Sequence, residues 1–65
     1  MIRLADERPK DGQRVVACPL DVGAWWHYRY DAADGRWGVW VHEDGGYLIP
    51  ARADDEWEPL EEADV

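Results

Sequence analysis

The chain has no serine, threonine, asparagine or phenylalanine, and only one cysteine, one lysine and one methionine. Without a Ser or Thr hydroxyl, nucleophilic catalysis of the Ser-His-Asp kind is excluded. The lone Cys18 rules out an intrachain disulfide and fits a reducing compartment better than an oxidising one. No apolar run approaches the roughly 20 residues of a membrane span. The opening M-I-R-L-A-D-E-R lacks the apolar stretch and small-residue cleavage site of a signal peptide. These absences predict a soluble, cytoplasmic protein with no membrane partner. A phosphate-binding Gly-rich loop is missing too, because neither Lys-Ser/Thr nor a helical pattern follows Gly45-Gly46.

What the chain does have is tryptophan and negative charge. Sixty-five residues make one small domain, which buries only roughly 60% of the surface its unfolded form exposes. Disulfides, metal or self-association usually support so small a core. With no disulfide, the support falls to packing, and a homodimer stays open. Each of the five tryptophans can bury roughly 150–250 Å². The net charge of −8 opposes direct contact with nucleic acid or anionic lipid and favours a partner with a basic surface. Solubility alone would also account for it.

Four of the tryptophans lie in residues 23–42, G-A-W-W-H-Y-R-Y-D-A-A-D-G-R-W-G-V-W-V-H, which read as two aromatic strands joined by a turn. Before them, Pro9-Lys10-Asp11-Gly12 is turn chemistry and Gln13–Cys18 is a strand with Val15 and Ala17 on one face. After them, Glu43–Gly46 is a turn and Tyr47–Ile49 a short strand stopped by Pro50, which suits an edge. Residues 51–56 read as a connector. The hairpin register can be argued from segregation. If Tyr30 pairs with Gly35 across a four-residue loop, Trp26, Tyr28 and Tyr30 share a face with Trp37, Val39 and Val41. The other face then carries Trp25, His27, Arg29, Arg36, Trp40 and His42. Lengthening the loop by one residue mixes apolar and charged groups on both faces, so the four-residue loop is preferred. Gly35 would take a left-handed position beside that turn. The expected fold is all-β: a three- to four-stranded antiparallel meander, able to curl into an SH3-like barrel, closed by a C-terminal segment anchored on Trp57. Trp26, Tyr28, Trp37, Val39, Val41 and Val15 form its expected core. Residues 1–60 make the domain and 61–65 an acidic tail.

Two surfaces qualify as binding sites. From Asp54 to Val65 the chain holds seven acids and no base. If Trp57 and Leu60 dock this segment, then Asp54, Asp55, Glu56, Glu58, Glu61 and Glu62 form a fixed carboxylate array for a basic partner. The alternative is aromatic: in the preferred register Trp25 lies across from Trp40 on the outer face, an apolar patch if nothing covers it. Burial would explain the pair equally well, since cross-strand aromatic pairs stabilise a sheet by roughly 0.2–1 kcal/mol. No metal or other cofactor is expected. His27 and His42 sit about 13 Å apart in that register, and the spacing with Cys18 matches no zinc pattern. Adjacent acids such as Asp54-Asp55 in a polar segment, with no apolar pocket to raise one pKa, read as solvated charge and not as a catalytic pair. The chain is therefore read as no enzyme.

Three pieces of the sequence recur together: E-R-P-K-D-G-Q-R-V-V (Glu7–Val16), G-R-W (Gly35–Trp37) and W-E-P-L (Trp57–Leu60). In this combination the chain resembles a small domain family of unknown function that is common in tailed phages and prophages. Ile2, Leu4, Asp6, Pro9, Asp11, Gly12 and Val15 fall at matching places. Met1, Arg8, Glu56 and Glu61 depart from the family's tryptophan, leucine, histidine and proline. The resemblance implies a phage or prophage origin, a host-cytoplasm location and a compact β-rich domain, and it supplies no catalytic residues. By analogy with small acidic phage proteins, the expected function is that of a non-enzymatic nucleic acid mimic. It would block a basic, nucleic-acid-binding host or defence protein through the acidic array. The alternative is a protein–protein or self-assembly module using Trp25 and Trp40.

Overall fold

Short alternating runs broken by Gly and Pro build an all-β protein. The computed structural model describes residues 1–33 and 35–60. Among these the strands are β1 (Ile2–Arg3), β2 (Arg14–Cys18), β3 (Trp26–Asp31), β4 (Val39–His42), β5 (Leu48–Pro50) and β6 (Glu56–Pro59). All pair antiparallel in one sheet of order β1-β6-β2-β3-β4-β5. Strands β2 to β5 are a meander. The Trp57 segment does close the fold, but as a strand: Glu56-Trp57-Glu58 alternates with period two, and Trp57 lies opposite Ala17. With β1 added beyond β6, six strands replace the three or four expected. The sheet curls but does not close into a barrel. Its edges are the two-residue β1 and β5, which ends at Pro50, a residue with no N–H for a ladder.

The hairpin register differs from the four-residue loop. Tyr28 pairs with His42, Tyr30 with Trp40 and Asp31 with Val39, so residues 32–38 form the connection. That exchanges the faces of β4. Trp40 enters the core, fully buried beside Tyr28, Tyr30, Val15, Ala17, Leu4, Ile49 and Trp57. Trp26 is 47% exposed, Trp37 only packs against the core from its rim, and Val41 lies on the outer face beside Arg29. Of the expected core, Val15 and Tyr28 belong to this cluster, and Val39 is buried outside it.

Gly38 shows why the loop is long. Its φ is +84°, and a Cβ there would sit 2.6 Å from the Tyr30 hydroxyl and 2.7 Å from the Asp31 carbonyl oxygen. The Tyr30 hydroxyl donates to the Trp37 carbonyl across this gap. Only glycine permits the approach, so the chain turns at Gly38 and β4 begins at Val39. The Arg8 guanidinium lies 4.6 Å from the Trp37 ring centroid and donates to the Arg36 carbonyl at 2.7 Å, holding the loop against the N-terminal segment. Gly35 does take positive φ (+71°), within this longer loop.

Candidate functional site

The acidic segment divides at once. Asp55 is fully buried. Its Oδ1 accepts the Leu20 amide at 2.9 Å, and its Oδ2 accepts the Trp40 indole Nε1–H at 2.8 Å and the Arg52 amide at 2.9 Å. One carboxylate thus ties the β2–β3 loop, β4 and the connector before β6, and satisfies three donors that burial would otherwise leave unpaired. Asp55 is therefore withdrawn from the surface array. The others differ from it. Asp54 is exposed, with Arg3 at 3.9 Å, a contact of little energetic weight. Glu56 and Glu58 are exposed on β6, alternating with the buried Trp57. Glu61 and Glu62 lie outside the described residues.

The aromatic pair divides too. Trp40 is withdrawn as a contact residue, because the register turns it inward. Trp25 stays 38% exposed. Its companion is Trp26, which had been assigned to the core. The loops joining β2 to β3 and β4 to β5 lie at the same end of the sheet. Leu20, Val22, Trp25 and Trp26 on or beside the first, and Tyr47 and Leu48 on or beside the second, are all exposed there. The rings are organised. Trp26 stacks on His42 (centroids 5.8 Å apart, planes at 11°), and His42 stacks on Tyr47 (4.4 Å, 18°). Tyr28 meets the same imidazole edge-on at 5.5 Å. His42 Nδ1 accepts the amides of Asp44 and Gly45, each at 3.2 Å, which places the imidazole proton on Nε2 and fixes the turn beneath Tyr47. A doublet such as Trp25-Trp26 entering a strand must send one ring to each face. Alternation sends Trp25 to the outer face and leaves Trp26 on the face of Tyr28 and Tyr30, so the exposure of Trp26 comes from its place at the end of β3 and not from the pattern.

The outer face carries a third feature. Arg14 on β2 and Arg29 on β3 are directly paired. Arg14 donates to Glu43 from Nε (2.6 Å, to Oε1) and Nη2 (3.1 Å, to Oε2). This bidentate bond holds the Glu43 carboxyl below the ordinary range, aided by the charges of Arg14, His27 and Arg29 and opposed by partial desolvation. The two guanidiniums line an open depression of about 380 Å³ with Val41, His42, Glu43 and Gly46. Neither a composition rule nor a spacing rule places Arg14 beside Arg29. Only the β2–β3 register does. His27 and His42 fall on opposite faces, and among the described residues no three His, Cys, Asp or Glu side chains could hold a metal ion.

Fold and surface together define a small all-β domain on one open, curled sheet, with an aromatic end and a partly acidic flank. No family model matches the chain, and neither does a curated protein or a solved structure. The first of the three segments behind the phage-family resemblance touches each of the other two: Arg8 covers Trp37, and Trp57 Nε1 donates to the Glu7 carbonyl at 2.8 Å. That is a packing relation, and it assigns no family.

Proposed function

We propose that the chain is a non-enzymatic protein-binding module that seats a partner with a basic surface on the aromatic end of its sheet. The observation that carries this reading is the exposure of Trp25, Trp26 and Tyr47 on neighbouring loops. A domain this small gains most by burying its large rings, and clustered exposed aromatics mark interaction surfaces. Tryptophan and tyrosine are also the side chains that most often anchor interfaces. The partner's basic character follows from the net charge of −8, which steers cations towards the chain and repels phosphate. A second copy of the chain is the competing occupant of the same surface.

A second reading rests on Glu56 and Glu58, exposed and without an ion pair among the described residues. Here the carboxylates of β6 imitate nucleic-acid phosphates, and a phage-encoded chain blocks a basic host or defence protein in the host cytoplasm. Affinity capture from a bacterial lysate, repeated with two variants, separates the readings. Under the first, the captured protein survives a high-salt wash, is lost with Trp26→Ala, and stays with the Glu56→Lys/Glu58→Lys double variant. If the double variant alone loses it, and high salt releases it, the acidic reading replaces the aromatic one. Sedimentation of the purified chain tests the remaining occupant: dimers that Trp26→Ala dissociates would make the surface a self-association face.

A further inference from the structure

The depression beside Arg29 has a charge that the rest of the protein does not predict. Like charges directly opposite one another destabilise a β-ladder, yet Arg14 and Arg29 face each other across β2 and β3. Among the described residues one carboxylate, Glu43, lines the depression, and Arg14 donates to both of its oxygens. Across β4, the residue opposite Arg29 is Val41, so no acid answers it from that side. The Arg29 guanidinium has no hydrogen bond or ion pair among the described residues. The outcome is an exposed cation with no direct carboxylate partner among the described residues, at the wall of a depression of about 380 Å³, in a chain of net charge −8. That volume lies at the small end of ligand pockets.

The geometry points to an oxyanion site on the outer face of the sheet, where Arg29, backed by Arg14, holds a carboxylate or phosphate group. A guanidinium presents paired N–H donors that match two oxygens of such a group, an arrangement lysine cannot reproduce. Val41 supplies an apolar wall, and the Arg14–Glu43 bond fixes the second guanidinium in place. The lowered pKa of Glu43 agrees with a positive local potential, since Arg14, His27 and Arg29 all favour its charged form. The depression shares His42 and the Gly46 turn with the aromatic end, but its charged groups, Arg14 and Arg29, lie on β2 and β3 outside the aromatic stack. A partner can dock on that stack whether or not Arg29 binds an anion.

The test is a heteronuclear NMR titration of the intact chain with inorganic phosphate and, separately, acetate, each at ionic strength held constant with sodium chloride. The expected result is saturable shifts of the Arg29 Nε–H and the Val41 and Gly46 amides with at least one of the two. Arg29→Gln should weaken the midpoint by about ten-fold or more, and Arg29→Lys by less. The Trp40 indole N–H resonance reports in every sample that the fold is intact. Saturation by phosphate alone assigns the site to phosphate groups, and saturation by acetate alone to carboxylates. Shifts that grow linearly with both anions, or an Arg29→Gln variant that titrates like the wild type, overturn the proposal.

Discussion

Two pairs of tryptophans in this chain are treated in opposite ways. Trp40 and Trp57 are buried, and each indole N–H has a bonded acceptor, the Asp55 carboxylate and the Glu7 carbonyl. Trp25 and Trp26 are exposed, and neither indole N–H has a partner among the described residues. A buried indole must satisfy its donor, so the bonded pair is spent on the fold. The other pair leaves both its apolar area and its donor available. The contrast separates the residues that hold the sheet together from those that can hold something else, and it does so without reference to any relative.

The widest gap should appear between Trp40→Ala and Trp26→Ala in the same denaturation experiment. Emptying a fully buried tryptophan site costs about 3–5 kcal/mol. A chain of this length has a total stability of roughly 3–10 kcal/mol, so Trp40→Ala should remove a third of it or more and shift the midpoint far down. Trp26→Ala removes a half-exposed ring from a stack, and its loss should stay within about 1 kcal/mol. Equal midpoint shifts for the two variants would break the distinction.

Next in size is Asp55→Asn, which keeps the shape and changes only the bonding. Both carboxylate oxygens accept N–H donors, and an amide must turn its own NH2 towards one of them. The expected loss is about 1–3 kcal/mol, read from the denaturant midpoint at unchanged slope. If the variant matches the wild type within about 0.5 kcal/mol, Asp55 does not hold the junction, and its burial needs another reason.

How far the sequence revealed these roles depended on the physics involved. The all-β class, the turn at Pro9–Gly12, the strand carrying Val15 and Ala17, and the edge at Pro50 were legible, because period-two alternation and Gly/Pro punctuation are local. The β3–β4 register was not. Segregation of Trp37, Val39 and Val41 favoured a tight hairpin, while the deciding contact was between Tyr30 and Gly38, side chain against backbone across the loop. A glycine inside a strand pattern does signal a close backbone approach, and Gly38 is such a case. Asp55 could not be distinguished from Asp54 or Glu56 by type. Its partners lie at positions 20, 40 and 52, and only the curl of the sheet brings them together. The Trp57 anchor was legible in composition, though its strand was read as a lid.

The smallest effects belong to pH, and they divide inside from outside in the same way as the tryptophans. Burial, as the leading cause, raises the pKa of Tyr28 and Tyr30 above 10.0, helped at Tyr28 by Tyr47 and Cys18 and offset in part at Tyr30 by Arg8. An unfolded tyrosine then loses its proton before the folded one does. Stability from these groups is complete below about pH 10 and falls as pH rises towards the folded values. Glu43 acts on the other side. Its carboxyl is held below 4.5, first by the Arg14 hydrogen bond, so its contribution is present above that value and disappears as pH falls through the folded one. Solvent screens this exposed pair, which limits the acid-side loss to well under 1 kcal/mol. Denaturation midpoints should therefore drop more steeply on the alkaline side for Tyr28 and Tyr30 than Glu43→Gln changes them on the acid side. An acid limb that Glu43→Gln flattens by more than about 1 kcal/mol would mean that the Arg14–Glu43 pair, and the depression it lines, is far better shielded from water than its exposure indicates.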